Sequence, residues 1–391
     1  MLSFKLTLLL TLTGALCYGQ TDLSIFKKHQ LTSNFIAEGV AVGDIDKDGQ
    51  PDIIAGTNWF KAPNWIQHQI APAKIYDGGT AYSPSFLNYC MDVNNDGWMD
   101  LIVIGLPGDP GLWYENNKNK SGFWKQHAIM NSVGVGNESP AFVDIDGDGN
   151  PDILCADIAA KQIVWLSKPV KKNDTVWVRH TISTTNAPGT DRYSHGLGVG
   201  DINKDDRNDV IIKSGWWQAP IDRKDTNWVF HPADFGEDCS QMYVMDVDGD
   251  GLNDVINASA HKYGIWWHQQ VKDAGGNISW KQHLIDSSVS QTHGVALADI
   301  NGDGYPDIIT GKRFFAHLDS DTDPGTHEPA MLYWFEYTPK KAPYFIRHTI
   351  DNNSGAGLHL VVQDMNKDQR KDLIISNKKG VFYFKNIGSK K

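Results

Sequence analysis

A chain of 391 residues with 47 acidic against 36 basic side chains carries a formal net charge of −11, so it lacks the basic surplus that a nucleic-acid partner demands. Its length suits two or three average domains or one large all-β domain, and there is ample chain to bury a core. Much of the acid sits in repeated loops where a cation could neutralise it, so the net charge says little about a substrate.

The chain opens on a predicted signal peptide, residues 1–19. Lys5 supplies the positive start, Leu6 to Leu16 an apolar stretch of the right length, and Cys17-Tyr18-Gly19 a cleavage site before Gln20. That stretch is too short to span a bilayer, and no later apolar run is long enough for a transmembrane segment. The expected mature domain, 20–391, is exported to the periplasm, cell surface or medium. Lipid anchoring at Cys17 is the less favoured alternative, because Leu16 is bulky where a small residue is needed. Cys90, Cys155 and Cys239 are too few and odd in number for a disulfide framework and are expected as buried thiols.

A short strand around Phe26 to Leu31 comes next and carries His29. Then the first of seven Asp-rich loops follows: Asp44, Asp46, Asp48, Gly49 and Asp52, with apolar Gly39–Gly43 before it and Ile53-Ile54-Ala55 after it. The loop returns as Asp92/Asn94/Asp96/Gly97/Asp100 and Asp144/Asp146/Asp148/Gly149/Asp152. The fourth copy is Asp201/Asn203/Asp205/Asp209, with Asp206 in place of glycine. Then come Asp246/Asp248/Asp250/Gly251/Asp254 and Asp299/Asn301/Asp303/Gly304/Asp307, and last Asp364/Asn366/Asp368/Asp372, with Gln369 in place of glycine. Short apolar runs bounded by turn residues read as buried strands A and B joined by the loop. A Trp- or Tyr-rich strand C follows, as at Ile163-Val164-Trp165. The alternating strand D carries His29, His68, His127, His180, His231, His283 or His348, for which a packing role is expected.

Four strands recurring roughly every 45–65 residues predict an all-β, seven-bladed propeller. The first strand D would complete the last blade and close the ring, which removes sheet edges. The pattern resembles the FG-GAP/VCBS repeat family, which includes the calcium-binding blades of integrin α-subunits. In each loop the oxygen-bearing side chains at positions one, three, five and nine suit calcium, a hard cation that takes six to eight oxygens, and glycine at position six permits the turn. The position-twelve Glu of an EF-hand is missing. The simpler alternative is that the aspartates only make Asx turns.

Residues just before strand A and just after strand B fall on the face opposite these loops, where the central channel opens. Glu38, Asn88, Glu138, His195, Asp238, His293 and His359 stand before strand A. Asn58, Trp59, Asp157, Lys213, Trp216, Trp217, His261, Lys262, Lys312 and Arg313 stand after strand B. Folding needs no such imidazoles and cations there. His195, His261, His293, His317, His327 and His359 depart from the repeat and converge on one rim. Two chemistries suit them. A neutral His could take a proton while Arg313 or Lys213 stabilises the enolate, with Tyr193 assisting; or three His could hold a transition metal with open positions. Trp59, Trp216 and Trp217 could stack on sugar rings, or pack in the core. Asp157, His261, His317, His359, Glu38 and Glu138 would line the same substrate site. The long segment Gly311–Pro329 reads as a wall of it.

Three stretches are similar to the propeller domain of aldos-2-ulose dehydratase and its bacterial relatives: Ser194-His195-Gly196, Thr292-His293-Gly294 and Gly311 to His317 with Asp323-Pro324-Gly325. The 391 residues hold no stretch expected to form that enzyme's cupin domain. The resemblance implies elimination at an oxidised sugar, with His195 or His293 as base and Arg313 or Lys213 as electrostatic partner. The expected function is therefore a carbohydrate lyase; the alternatives are a non-catalytic glycan- or protein-binding propeller and a purely structural surface module.

Overall fold

Asp-rich turns alternate with apolar runs of four to six residues, too short for buried helices, and every regular element among the described residues is a β-strand. The computed structural model describes residues 25–129, 135–340 and 342–388; the signal peptide expected at 1–19 lies outside them. Strands A are Val40–Gly43, Leu87–Met91, Ala141–Val143, Leu197–Gly200, Gln241–Met245, Val295–Ala298 and Leu360–Gln363. Each pairs antiparallel with a strand B that starts on the last aspartate of its loop, such as Asp52–Ala55 or Asp209–Ile212, followed outward by C and D. The fold is an all-β propeller. The strand Phe26–Thr32 pairs antiparallel with Gly380–Asn386, Phe26 opposite Asn386, and the first strand A contacts both the second and the last.

The seven separate blades expected from the repeat count are not what is observed. Five sheets are separate and four-stranded, while the remaining strands form one eight-stranded sheet. Its halves join where Leu197–Gly200 runs parallel to Gln241–Met245, Leu197 opposite Gln241 and Gly198 opposite Met242. The reason is steric: a β-carbon on Gly198 would collide with the Met242 carbonyl oxygen, so only glycine lets the two backbones approach to pairing distance.

The core lies between consecutive sheets rather than in one central mass. Ile54 and Ala41 pack with Leu101 and Val103, Leu154 with Val210, and Ile374 and Val381 with Ile53 and Val40. Strands B are therefore apolar on both faces, whereas a strand D such as Ile66–Gln69 is exposed along its length. The D-strand histidines take the packing role. His127 stacks on Trp113, His180 on Trp165, His231 on Trp216, His283 on Trp267, His348 on Trp334 and His29 on Tyr383, while His68 meets Trp59 at a tilt, each across a C–D register pair.

The ninth-position aspartates bind backbone. Asp52 accepts the Ile45 and Ala62 amides, Asp100 those of Val93 and Asn116, Asp209 those of Ile202 and Ala219, and Asp372 those of Met365 and Asn386. Asp254 and Asp307 do the same with Val247 and Gln270 and with Ile300 and Tyr337. Each ties the start of its loop to the end of strand C. The first aspartate of each loop makes the Asx turn, as when Asp44 accepts the Asp48 and Gly49 amides. Cys90, Cys155 and Cys239 are free, and burial pushes their thiols up.

Candidate metal centre

His195 and His293 each precede a strand A, and each is followed by glycine. Gly196 has φ 77°, and a β-carbon there would meet Cys239 at 2.8 Å; one on Gly294 would meet the Gly357 carbonyl oxygen at 2.8 Å. Glycine thus lets each imidazole-bearing turn press against its neighbour. His261 follows the strand Asp254–Ala258, and Glu138 precedes Ala141–Val143. Four segments distant in sequence thereby deliver their side chains to one place.

The ligand nitrogens of His195, His261 and His293 all lie within 4.8 Å of one another. His261 Nε2 is 2.9 Å from His195 Nε2. Glu138 Oε2 is 3.5 Å from His195 Nε2 and 3.7 Å from His293 Nε2. His261 Nδ1 faces Asp323 Oδ2 at 3.1 Å; a carboxylate there holds the proton on Nδ1 and leaves the Nε2 lone pair aimed into the cluster. His317 stacks on His261 with centroids 4.6 Å apart, and its Nδ1 reaches Asp323 at 2.9 Å and Asp321 at 2.6 Å.

Burial holds the His293 imidazole well below its ordinary value, with Arg313 adding to the effect. Both its ring nitrogens are buried without a hydrogen-bond partner, a costly arrangement for a side chain that only packs. His261 is lowered too, by burial first and then by the charges of His195 and His317. Burial pushes the Glu138 carboxyl up, but its contacts with His195 and His293 outweigh that and hold it well below the usual carboxylate range. Three imidazoles and one carboxylate so placed make a donor set that suits a zinc-like transition metal, and the orphaned His293 nitrogens fit such a group.

Other expected site residues sit elsewhere. Arg313, expected beside an enolate, instead donates from Nη2 to Glu38 Oε2 at 2.7 Å, with side chains 1% and 0% exposed; the desolvated guanidinium is committed to that carboxylate. Trp216 and Trp217 are 3% exposed and packed inside their sheet, and Trp59 lies half-buried on His68, so their faces are covered rather than offered to sugars. Asp157 is buried and bound to Arg179 Nε at 2.9 Å. Lys213 pairs with Asp238 at 2.7 Å in a half-exposed contact. The exposed Tyr193 ring lies under the Arg192 guanidinium, 4.8 Å away. His359 Nε2 faces the Val40 carbonyl oxygen at 2.7 Å, lining an apolar channel of about 460 Å³ with Tyr89 and Leu360. His327 is exposed, 3.7 Å from Asp319.

The Asp loops, expected as calcium cages or as simple Asx turns, with the fourth and seventh set apart by the lost glycine, differ in how their carboxylates group. Asp44, Asp46 and Asp48 bring carboxylate oxygens within 4.8 Å of one another, as do Asp144, Asp146 and Asp152, and so do Asp246, Asp248 and Asp250. These three groupings fit calcium. Among the described residues, no three carboxylates of the other four loops converge in that way. Asp148, expected as a ligand of the third loop, stands outside its grouping: Oδ1 accepts the Asn150 amide at 2.8 Å and Asn150 Nδ2 at 2.9 Å. Asn94, Asn301 and Asn366, expected as third-position ligands, also close turns with Oδ1. They accept the amides of Asp96 at 3.1 Å, Asp303 at 3.0 Å and Asp368 at 3.1 Å. Asp303 is likewise engaged, with Oδ1 on the Tyr305 amide at 2.9 Å and Oδ2 on Asn301 Nδ2 at 3.1 Å. The physical reason is local. A short Asx side chain reaches the amide two residues on without strain, and the converging loops close in the same way, Asp146 on the Asp148 amide and Asp248 on the Asp250 amide, both at 3.2 Å.

Sequence reading missed two residues. Lys378, on the turn before Gly380–Asn386, donates to the His317 carbonyl oxygen and lies 4.4 Å from the Tyr82 ring; burial brings its amine down to about 8. Tyr82 feels the charges of Arg313, Glu38, Glu138 and Asp321, and burial pushes its hydroxyl up to about 12. Neither belongs to the repeat, and no spacing signal marks them.

Residues 92–155 and 246–310 match the family described as FG-GAP-like repeat. Integrin alpha-7 of Homo sapiens is 24% identical over 164 residues, which are 36% of this chain and 14% of the integrin; integrin alpha-7 of Mus musculus is 24% identical over 169 residues, 37% and 14%. The chain thus spans 14% of the length of these relatives. Among solved structures, BBS1N in complex with ARL6DN is similar at TM-score 0.56 and 10% identity, covering 94% of this chain and 98% of that one; the likeness is one of fold. Rhamnogalacturonan lyase YesW is similar at TM-score 0.47 and 11% identity, covering 92% and 75%. No helix among the described residues is long and apolar enough to cross a membrane. Two of the three converging Asp groupings lie within the matched FG-GAP-like stretches, and that of Asp44, Asp46 and Asp48 lies outside them.

Proposed function

We propose that this protein is an exported carbohydrate lyase that eliminates across a carbon next to a carbonyl or carboxyl group of an oxidised sugar or uronic-acid glycan. Its centre is a transition metal held by His195, His261, His293 and Glu138, and calcium in the glycine-containing Asp loops stiffens the fold. In the loops at 92–100 and 299–307 the side-chain oxygens of Asn94, Asn301 and Asp303 keep a second lone pair for the ion after closing their turns. In the same reading the eight-stranded sheet counts as two fused blades, which makes seven, and the strand Phe26–Thr32 closes the ring.

The observation that carries the proposal is the convergence of three imidazoles and one buried carboxylate, with Asp323 fixing the tautomer of His261. The stretches similar to aldos-2-ulose dehydratase are also the ones that supply His195, His293, His317 and Asp323, which supports the reaction class. A bound metal would supply a Lewis acid for the oxygen next to the acidic C–H. His195 and His293, expected as bases, serve here as ligands. The proton then goes to His317, whose Nδ1 is already held by Asp321 and Asp323 and whose Nε2 remains to accept it. The C–H electron pair forms the new double bond as the C–O bond to the leaving group breaks. Tyr82, its hydroxyl raised to about 12, returns a proton to the departing oxygen.

The test is ultraviolet absorbance on incubating metal-loaded protein with uronic-acid glycans and keto-sugars. An unsaturated product that disappears in Glu138→Ala and His293→Ala variants supports the proposal. Saturable glycan binding with no product would assign the chain to the recognition modules instead.

A further inference from the structure

Two of the seven Asp loops differ from the rest in one correlated way. Position six is not glycine: Asp206 and Gln369 take its place, with φ 63° and 67°. In those two loops alone position seven is arginine, Arg207 and Arg370, where the others carry Gln50, Trp98, Asn150, Leu252 and Tyr305. Both arginines fold back in the same manner. Arg207 donates from Nη2 to Asp205 Oδ2 and from Nε to the Ala219 carbonyl oxygen at 2.9 Å. Arg370 donates from Nη2 to Asp368 Oδ2 and from Nε to the Asn386 carbonyl oxygen at 3.0 Å. The second bond ties each guanidinium to the end of strand C and fixes it in the loop.

The fifth-position carboxylate is then crowded with protein donors. Asp205 Oδ1 accepts the Arg207 amide at 3.1 Å, and Oδ2 also accepts Asn203 Nδ2 at 2.9 Å and Gln218 Nε2 at 3.3 Å. The amide and Asn contacts recur at Asp303 of a glycine loop, so the guanidinium is what the arginine loops add, and an ion would have to displace it from the oxygen it needs. It would also meet a fixed positive charge, which is repulsive over a few ångströms. Lysines touch other loops: Lys61 reaches Asp46 and Asp48, Lys118 Asp96 at 2.8 Å, and Lys224 Asp146 at 3.0 Å. Those lysines come from outside their loops on long, flexible stems, so a divalent ion can replace their ammonium groups.

We propose that the loops at 201–209 and 364–372 carry their own cation. Arg207 and Arg370 stand in for the divalent ion, and these two loops bind no calcium while the glycine-containing loops do. The proposal rests on the calcium reading above for its contrast, and the experiment separates the two.

Bound calcium per chain is measured by native mass spectrometry on calcium-saturated protein, for wild type and for the variants Asp205→Asn, Asp368→Asn and Asp250→Asn, with thermal unfolding in calcium and in chelator. Asp250→Asn is expected to lower the count by one ion and to lose stability only in calcium. Asp205→Asn and Asp368→Asn are expected to leave the count unchanged and to lose the same stability in both conditions. Arg207→Gln should destabilise the protein in chelator. A count that falls by one in Asp205→Asn or Asp368→Asn overturns the proposal. If wild type binds no calcium at all, the reading of the glycine loops fails, and the contrast proposed here falls with it.

Discussion

Asp323 Oδ2 lies 3.1 Å from His261 Nδ1, although the two residues come from different repeats, 62 positions apart. That contact decides which imidazole nitrogen faces His195. Without the carboxylate, His261 would lose its fixed tautomer and its ring orientation. Asp323→Asn should therefore weaken transition-metal affinity by about 10–100-fold, measured by competition with a chromogenic chelator. An affinity equal to wild type would remove Asp323 from this role.

The Arg313–Glu38 pair is buried, and two of its polar atoms, Glu38 Oε1 and Arg313 Nε, lack further partners. Removing one member strands the other charge, so Arg313→Ala should cost roughly 3–5 kcal/mol in denaturant unfolding. A paired Glu38→Leu, Arg313→Met variant should recover most of that loss. If Arg313 acted on substrate instead, the double variant would be stable but lose product formation while keeping its metal.

Trp216 belongs to the interior of its sheet, stacked on His231 with centroids 4.2 Å apart. Trp216→Ala should destabilise the protein by about 3–5 kcal/mol. Glycan affinity of the folded fraction, measured by calorimetry well below the melting temperature, should not change.

Burial lowers the imidazoles of His359 and His268 to about 4. Each folded value lies below the ordinary 6.5, so the unfolded chain binds the extra proton first as pH falls. Their stabilising contribution is fully present above about pH 6.5 and is lost as pH drops towards 4. His359 Nε2 is committed to the Val40 carbonyl oxygen, and its buried Nδ1 has no partner for a second proton. His359→Gln should flatten part of this acid limb in melting temperature against pH; a limb of unchanged steepness would place the titration elsewhere.

What the sequence determined by itself is what repeats. The Asp loops mark every A–B turn, the apolar runs on either side become strands, and the D-strand histidines meet the ring of the residue across from them. These are local or nearest-strand relations, set by turn chemistry and the two-residue period of a strand. The same register placed His195, His261 and His293 on one rim. Within the loops the third-position side chain closes the same turn whether it is Asp or Asn, Asp146 on the Asp148 amide and Asn94 on the Asp96 amide. The tertiary structure decided the partners of residues that leave the repeat. Arg313 and Glu38 read alike as rim residues, yet 275 positions of chain separation close into a 2.7 Å contact that withdraws both. Tyr82 and Lys378 carry no motif and reach the site only because the first and last repeats are neighbours. Gly198 reads as an ordinary strand residue until the next strand lies against it. Each of these outcomes depends on which surfaces meet when the sheets pack, and burial, not spacing, then sets which charges are paired and which imidazoles stay neutral.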